Sequence, residues 1–111
     1  MRRHGWHILW QGDTLVLARA VPVRFDVSAQ TRLPAVRRPL RLAQQVRQDL
    51  WRALRDLRGF SPCVSVAPQG GEVILRAGGR AAHPVAPGVP ARIAAVLEDG
   101  ANRARWTRWA A

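Results

Sequence analysis

The stretch that decides the fold runs from residue 40 to residue 58 and reads LRLAQQVRQDLWRALRDLR. Its apolar residues recur at steps of three and four, which is the spacing of one face of an α-helix. These stripe positions are Ala43, Val46, Leu50, Ala53, Leu54 and Leu57. Pro39 suits the first turn, and Gly59 is placed to end the helix. The pattern predicts a helix over residues 40–58 that packs on a sheet, with Leu50 and Leu57 deeply buried.

The remaining surface of this helix is rich in arginine and carries one tryptophan. Arg41, Gln44, Gln48, Arg52 and Arg55 lie opposite the stripe, and Arg47, Trp51 and Arg58 run along one flank. We expect Arg41, Gln48 and Arg55 to face solvent. A large apolar ring beside guanidinium groups is typical of nucleic-acid surfaces, where Arg contacts phosphate and the ring stacks on an exposed base.

Two alternatives to nucleic-acid binding stay open for this helix face. It could be a solvated surface on which Asp49 and Asp56 pair with Arg52, while Trp51 lies under arginines or against a neighbouring loop. It could also be a protein interface, because Trp and Arg are the residues most enriched at interface hot spots.

Two β-hairpins are predicted, one on each side of the helix. Residues 5–10 and 14–20 are rich in aliphatic and aromatic side chains and flank a short Gly-containing connection. Residues 60–67 and 72–77 form the second pair, around the turn Pro68-Gln69-Gly70-Gly71. These patterns predict four antiparallel strands.

The segments between these elements give weaker signals. Residues 21–27 alternate apolar and polar side chains, which predicts a third strand or a bent continuation of the second. Residues 28–39 hold two prolines without a clear period, and residues 78–90 are rich in Pro and Gly, so both are predicted as loops with Gly78 and Gly79 as turn glycines. A second helix is expected to begin at residues 91–97, and Asp99 could cap further turns that run to Trp109.

The length and composition predict one domain, since 111 residues with 48% hydrophobic and 23% charged side chains can bury one core. We predict an α+β fold, an antiparallel sheet of two hairpins with two helices on one face. Residues 11–17 align with residues 69–75 at an offset that also pairs Trp51 with Trp109. Residues 1–58 and 59–111 could therefore be duplicated ββα halves, or the likeness could be convergence of hairpin turns; both explanations stay open.

Positive charge is concentrated in two segments of the chain. The 18 basic residues, all arginine, face 7 acidic ones, for a net charge of +11. Exclusive use of Arg is typical of GC-rich bacterial coding, but that bias does not account for the shortage of acids. Residues 30–58 carry eight Arg against two Asp, and residues 100–111 carry three Arg and no acid. This excess points to a polyanionic partner.

The C-terminal segment repeats the basic and aromatic pattern with Arg103, Arg105, Trp106, Arg108 and Trp109. Such a segment could grip nucleic acid or an anionic membrane surface. Its shortness favours the other interpretation, in which both tryptophans fold back and pin the C-terminus.

The sequence offers no pattern for catalysis, a metal or a cofactor. The single cysteine, Cys63, cannot form an internal disulfide, and no base lies near it in sequence, so we expect a buried, inert thiol. The three histidines lack metal-ligand spacing. No apolar stretch is long enough for a signal peptide or a transmembrane helix, and we expect a cytoplasmic protein.

The sequence therefore predicts a small non-enzymatic domain that binds RNA or DNA through its Arg/Trp helix face. The alternative is a protein-interaction module, either a homodimer or a small subunit that docks an acidic partner through the same face. The candidate nucleic-acid-binding residues are Arg37, Arg38, Arg41, Arg47, Trp51, Arg52, Arg55, Arg58, Arg103, Arg105 and Arg108.

Overall fold

The computed structural model describes residues 1–111 except for the side chain of Arg3. The described residues form six strands and three helices. The elements are β1 (Arg2–Arg3), β2 (Trp6–Gln11), β3 (Thr14–Ala18), β4 (Val27–Pro34), α1 (Pro39–Leu54), β5 (Ser61–Gln69), β6 (Glu72–Arg80), α2 (Val89–Glu98) and α3 (Gly100–Ala110). All strand pairs are antiparallel, and the sheet order is β1-β2-β3-β5-β6-β4. The α+β class and both predicted hairpins are confirmed.

Helix α1 packs its apolar stripe on one face of this sheet. Leu50 is fully buried, as predicted, in a core that includes Leu17 and Val64 of the sheet. The prediction for Leu57 was wrong, because α1 ends at Leu54 and Leu57 is only half-buried. The chain tightens into turns after the helix, where the Leu57 amide donates to the Leu54 carbonyl at 2.9 Å.

Strand β4 corrects the prediction of a loop over residues 28–39. It pairs along its whole length with β6, from Val27 opposite Gly79 to Pro34 opposite Glu72. The period of two is present, since Val27 and Leu33 are buried while the small or polar residues at the intervening inward positions are half-buried. β4 is an edge strand, where a terminal proline is tolerated and half of the backbone needs no strand partner.

Residues 19–26 form an irregular crossover and not the third strand predicted for residues 21–27. This crossover leads from β3 to β4 and packs Val23 and Phe25 on a small cluster containing Cys63. Asp26 fixes its end by accepting a hydrogen bond from the Ala81 amide at 3.1 Å and pairing with Arg24 at 2.9 Å. The Arg24 hydrogen bond and the Ala81 amide lower the pKa of Asp26 to about 2.

The second predicted helix is split into α2 and α3 at Asp99, whose backbone is extended. The Asp99 carboxylate accepts a hydrogen bond from the Asn102 amide at 2.9 Å, which is the cap expected from the sequence. Both helices pack against the sheet or α1, through Ile93 and Leu97 of α2 and Trp106 of α3. Among the described helices, none is both long and apolar enough to cross a membrane.

Candidate nucleic-acid interface

The outer surface of α1 carries the arginines that the helical pattern placed there. Arg41, Gln48 and Arg55 are exposed, as predicted. One turn separates Arg47 from Trp51 on the flank that faces the β1–β2 hairpin, and Trp51 is 44% exposed. Trp51 therefore stands outside the core, although the same helix buries Val46, Leu50 and Leu54 completely.

A groove of about 280 Å³ opens beside this flank. Its walls are Trp6, Arg19, Arg47, Trp51, Phe60 and Pro62, and this set is called the Arg/Trp groove below. The Trp51 and Phe60 rings lie within 7° of parallel with centres 6.4 Å apart. Phe60 follows the turn after α1, so this stacking holds Trp51 against a neighbouring loop while leaving much of its indole open.

Two guanidinium groups share the Trp6 ring inside the Arg/Trp groove. The guanidinium carbon of Arg47 lies 4.7 Å from the ring centre, and that of Arg19 lies 5.4 Å from it. Arg19 also donates through Nη1 to the Gly5 carbonyl at 3.2 Å. Each cation gains from the electron-rich indole, by about 0.5–1 kcal/mol at an exposed site and more when desolvated. Two positive charges from distant parts of the chain thus contact the same indole.

Neither of these two charges has a carboxylate partner among the described side chains. The Nε of Arg47 is buried and accepted by no hydrogen-bond partner. Burial, and secondarily the charge of Arg19, lower the pKa of Arg47. Arginine nevertheless stays charged in proteins, so Arg19 and Arg47 repel each other and carry N–H groups that no described carboxylate accepts. An anion bound here would reduce the repulsion and accept hydrogen bonds from these N–H groups.

The acidic residues in α1 and just after it bind side chains of α2 and α3. Asp49 accepts a hydrogen bond from Trp106 Nε1 at 2.7 Å and pairs with Arg105, while Arg52 lies 3.8 Å away. Asp56 pairs with Arg92 of α2 at 2.7 Å, so its expected pairing with Arg52 was wrong. The predicted site arginines left without a carboxylate partner among the described side chains are Arg37, Arg38, Arg41, Arg47, Arg55, Arg58 and Arg108.

In the C-terminal segment, some of the basic and aromatic side chains are packed inside the protein and others are exposed. Trp106 is fully buried and joins α3 to α1, whereas Trp109 is 53% exposed, so the expectation that both tryptophans fold back holds only for Trp106. Arg103 donates to Thr31 and to two backbone carbonyls, and Arg105 binds Asp49. Internal contacts thus occupy two of the three predicted site arginines of this segment.

Sequence reasoning missed Trp6, Arg19 and Phe60 as members of the site. They come from β2, from the residue after β3 and from the residue before β5, and only the tertiary fold brings them to Arg47. One signal was available, because Trp6 lies two residues before Ile8 and so shares its helix-facing side of the sheet.

Cys63 lies away from this groove, on the opposite face of β5, and is 2% exposed. We expect iodoacetamide at neutral pH to alkylate it much more slowly in the folded protein than it alkylates free cysteine. The reason is that burial raises the pKa of the thiol to about 12, against a smaller opposite effect of Arg76, and only the thiolate reacts. Mass spectrometry of timed samples measures the rate, with urea-unfolded protein as the reactive control. Alkylation faster than that of free cysteine would reveal an activated thiolate.

Comparison of the chain with protein-family models, curated proteins and solved structures found no match. Among the described residues, no three His, Cys, Asp or Glu side chains lie together as a metal site requires.

Proposed function

We propose that this domain binds nucleic acid, without catalysing a reaction, through the Arg/Trp groove and the arginines of α1. The observation that carries the proposal is the Arg19–Arg47 pair, two cations on one indole that form no ion pair with a carboxylate of the described residues. A phosphate between them would satisfy both, and the open face of Trp51 beside them would receive a base.

The distribution of charge supports the same partner. The net charge of +11 raises the local concentration of any polyanion, and the free arginines cluster at both ends of α1. Arg37, Arg38 and Arg41 lie at its N-terminal end, and Arg55 and Arg58 follow its C-terminal end. Phosphate contacts can thus extend beyond the groove in both directions. A single cysteine kept as a free thiol goes with a cytoplasmic location, which we propose together with this function.

Neutralising Arg47 tests the proposal most directly. We expect Arg47→Gln to weaken binding of a fluorescein-labelled oligonucleotide at low salt and to flatten the plot of log affinity against log salt by about 0.7–0.9 for the lost phosphate contact. Arg32→Gln is the matched control, because it removes the same single charge from a residue that pairs with Glu72 on β4 and lines none of the groove. It should leave the slope unchanged. Fluorescence anisotropy at several salt concentrations provides both numbers.

Two results would overturn this function. One is an absence of binding at low salt by the folded wild-type protein. The other is an equal loss with Arg47→Gln and Arg32→Gln, which would mean that only total charge matters. Light scattering should accompany the titration. A dimer that becomes monomeric on Trp51→Ala, together with no oligonucleotide binding, would replace nucleic-acid binding with the interaction module.

A further inference from the structure

We propose that the Arg/Trp groove is one end of a continuous track along α1 that takes a single strand of nucleic acid, with one base stacked on Trp51 and another on Trp109. This inference rests on the proposed function and adds to it the kind of strand and the second stacking position.

The track follows from hollows that share walls. Trp6 and Arg47 of the Arg/Trp groove also line a narrow hollow of about 70 Å³ that reaches His4 and Gln44. His4 and Gln44 in turn border a wider hollow with Arg38 and Arg41. Arg41 and Gln44 then line a last hollow with Gln45 and Trp109. Neighbouring hollows thus share lining residues from the C-terminal half of α1 to its N-terminus and across to α3.

The dimensions of the path suit a short single strand. Trp51 lies ten residues after Arg41, which corresponds to about 15 Å along the helix axis. Trp109 shares the last hollow with Arg41 and Gln45. The smallest of the four hollows lies between α1 and the β1–β2 hairpin. We expect one flexible phosphate backbone to follow these hollows, whereas a rigid duplex would contact only their rims.

The chemistry of the path suits phosphates and bases. No described residue that lines the four hollows is acidic, and Arg19, Arg38, Arg41 and Arg47 line them at intervals. Gln44 touches three of the hollows and offers a neutral donor and acceptor in the middle. Positive charge along a groove with aromatic rings as stacking platforms is how proteins hold single strands without reading their sequence.

Contacts within the protein position the Trp51 ring and the backbone beside Trp109. Trp51 is stacked on Phe60, and Trp109 lies one residue before Ala110, whose carbonyl accepts hydrogen bonds from the Arg37 and Arg38 amides at 3.1 and 3.0 Å. These contacts tie the end of α3 to the start of α1. Because the Trp51 ring is already positioned, little of its stacking free energy is lost to ordering on binding.

The test measures anisotropy of labelled oligothymidine for three tryptophan variants. Trp51→Ala and Trp109→Ala should each weaken binding of a long oligothymidine by about 5- to 150-fold, the range for loss of one stacked base. Trp10→Ala is the matched control, because Trp10 is 59% exposed and lines none of the four hollows. It should change affinity less than about twofold. Trp51→Phe and Trp109→Phe keep a ring and should restore much of the loss.

Strand type and length separate this inference from the proposed function. A duplex of matched charge should bind more weakly and respond little to either tryptophan variant, and dithymidine should lose the additive effect because it cannot reach both rings. If Trp109→Ala behaves like Trp10→Ala, or if polyglutamate competes as well as oligothymidine, the track is overturned. Salt-dependent binding that persists with every tryptophan variant would also overturn the track but leave the proposed function standing. No binding of either nucleic acid at low salt would remove both.

Discussion

Replacing Trp106 with alanine is expected to lower the free energy of unfolding by about 3–5 kcal/mol. The Trp106 side chain is fully buried where α3 meets α1, so its removal leaves a large cavity. Its Nε1 also donates to the Asp49 carboxylate at 2.7 Å, and Asp49 would keep only its arginine contacts. Urea denaturation followed by far-ultraviolet circular dichroism measures the change.

Trp109→Ala is the control for this prediction, since it removes the same side chain three residues later in the same helix. Trp109 is largely exposed, and its loss should change the free energy of unfolding by less than about 0.5 kcal/mol. Equal effects of the two substitutions would show that α3 does not pack on α1 through Trp106.

Gly78→Ala is expected to destabilise the fold by about 3 kcal/mol or more, toward the upper end of what overpacking costs. An added Cβ would lie 1.9 Å from the Val27 carbonyl oxygen and 2.7 Å from the Ser28 Cα. Both are backbone atoms of β4, so relief requires β4 to move away from β6. Thermal unfolding measures the loss, and amide hydrogen exchange should show that β4 loses protection first.

Gly100→Ala provides the comparison for Gly78→Ala. Gly100 begins α3, and no atom outside its local chain lies within 4 Å of an added Cβ. Alanine there should be neutral or stabilising by up to about 1 kcal/mol, because it favours the helix. If Gly78→Ala unfolded at the same temperature as the wild-type protein, the close approach of β4 to Gly78 would be contradicted.

Local patterns accounted for much of the fold. The stripe of α1, both hairpins and the Asp99 cap depend on residues near one another in sequence, and these were predicted. Gly78 and Gly79, expected in a turn, lie within β6, whereas Gly70 and Gly71 do form the β5–β6 turn. The sequence shows only that a glycine is present. Whether it allows a turn or admits a neighbouring backbone depends on β4, a strand more than forty residues away.

The candidate site was likewise predictable only where it depends on residues close in sequence. The helical period identified Arg47 and Trp51 as neighbours on an outer flank, because both belong to α1. It could not assign different environments to arginines of one helix, since those depend on other elements. Asp49 lies near Arg52 and binds Arg105 of α3, whereas Arg47 meets Arg19 and an indole. The burial of Trp106 and the exposure of Trp109 likewise depend on which side of α3 packs against α1.

The strand order has a consequence for how the chain folds. β3 finds its second strand partner in β5, and β4 pairs with no strand except β6 among the described residues. Residues 1–58 therefore lack the central strands of the sheet. During synthesis, β4 and the apolar stripe of α1 find their packing partners only after residues 61–80 have been made. The β5–β6 hairpin then pairs with β3 on one side and with β4 on the other. Such distant pairing slows folding relative to helical bundles, in which most contacts are local. Even if the two ββα halves arose by duplication, which stays a prediction, the first half depends on the second for its structure.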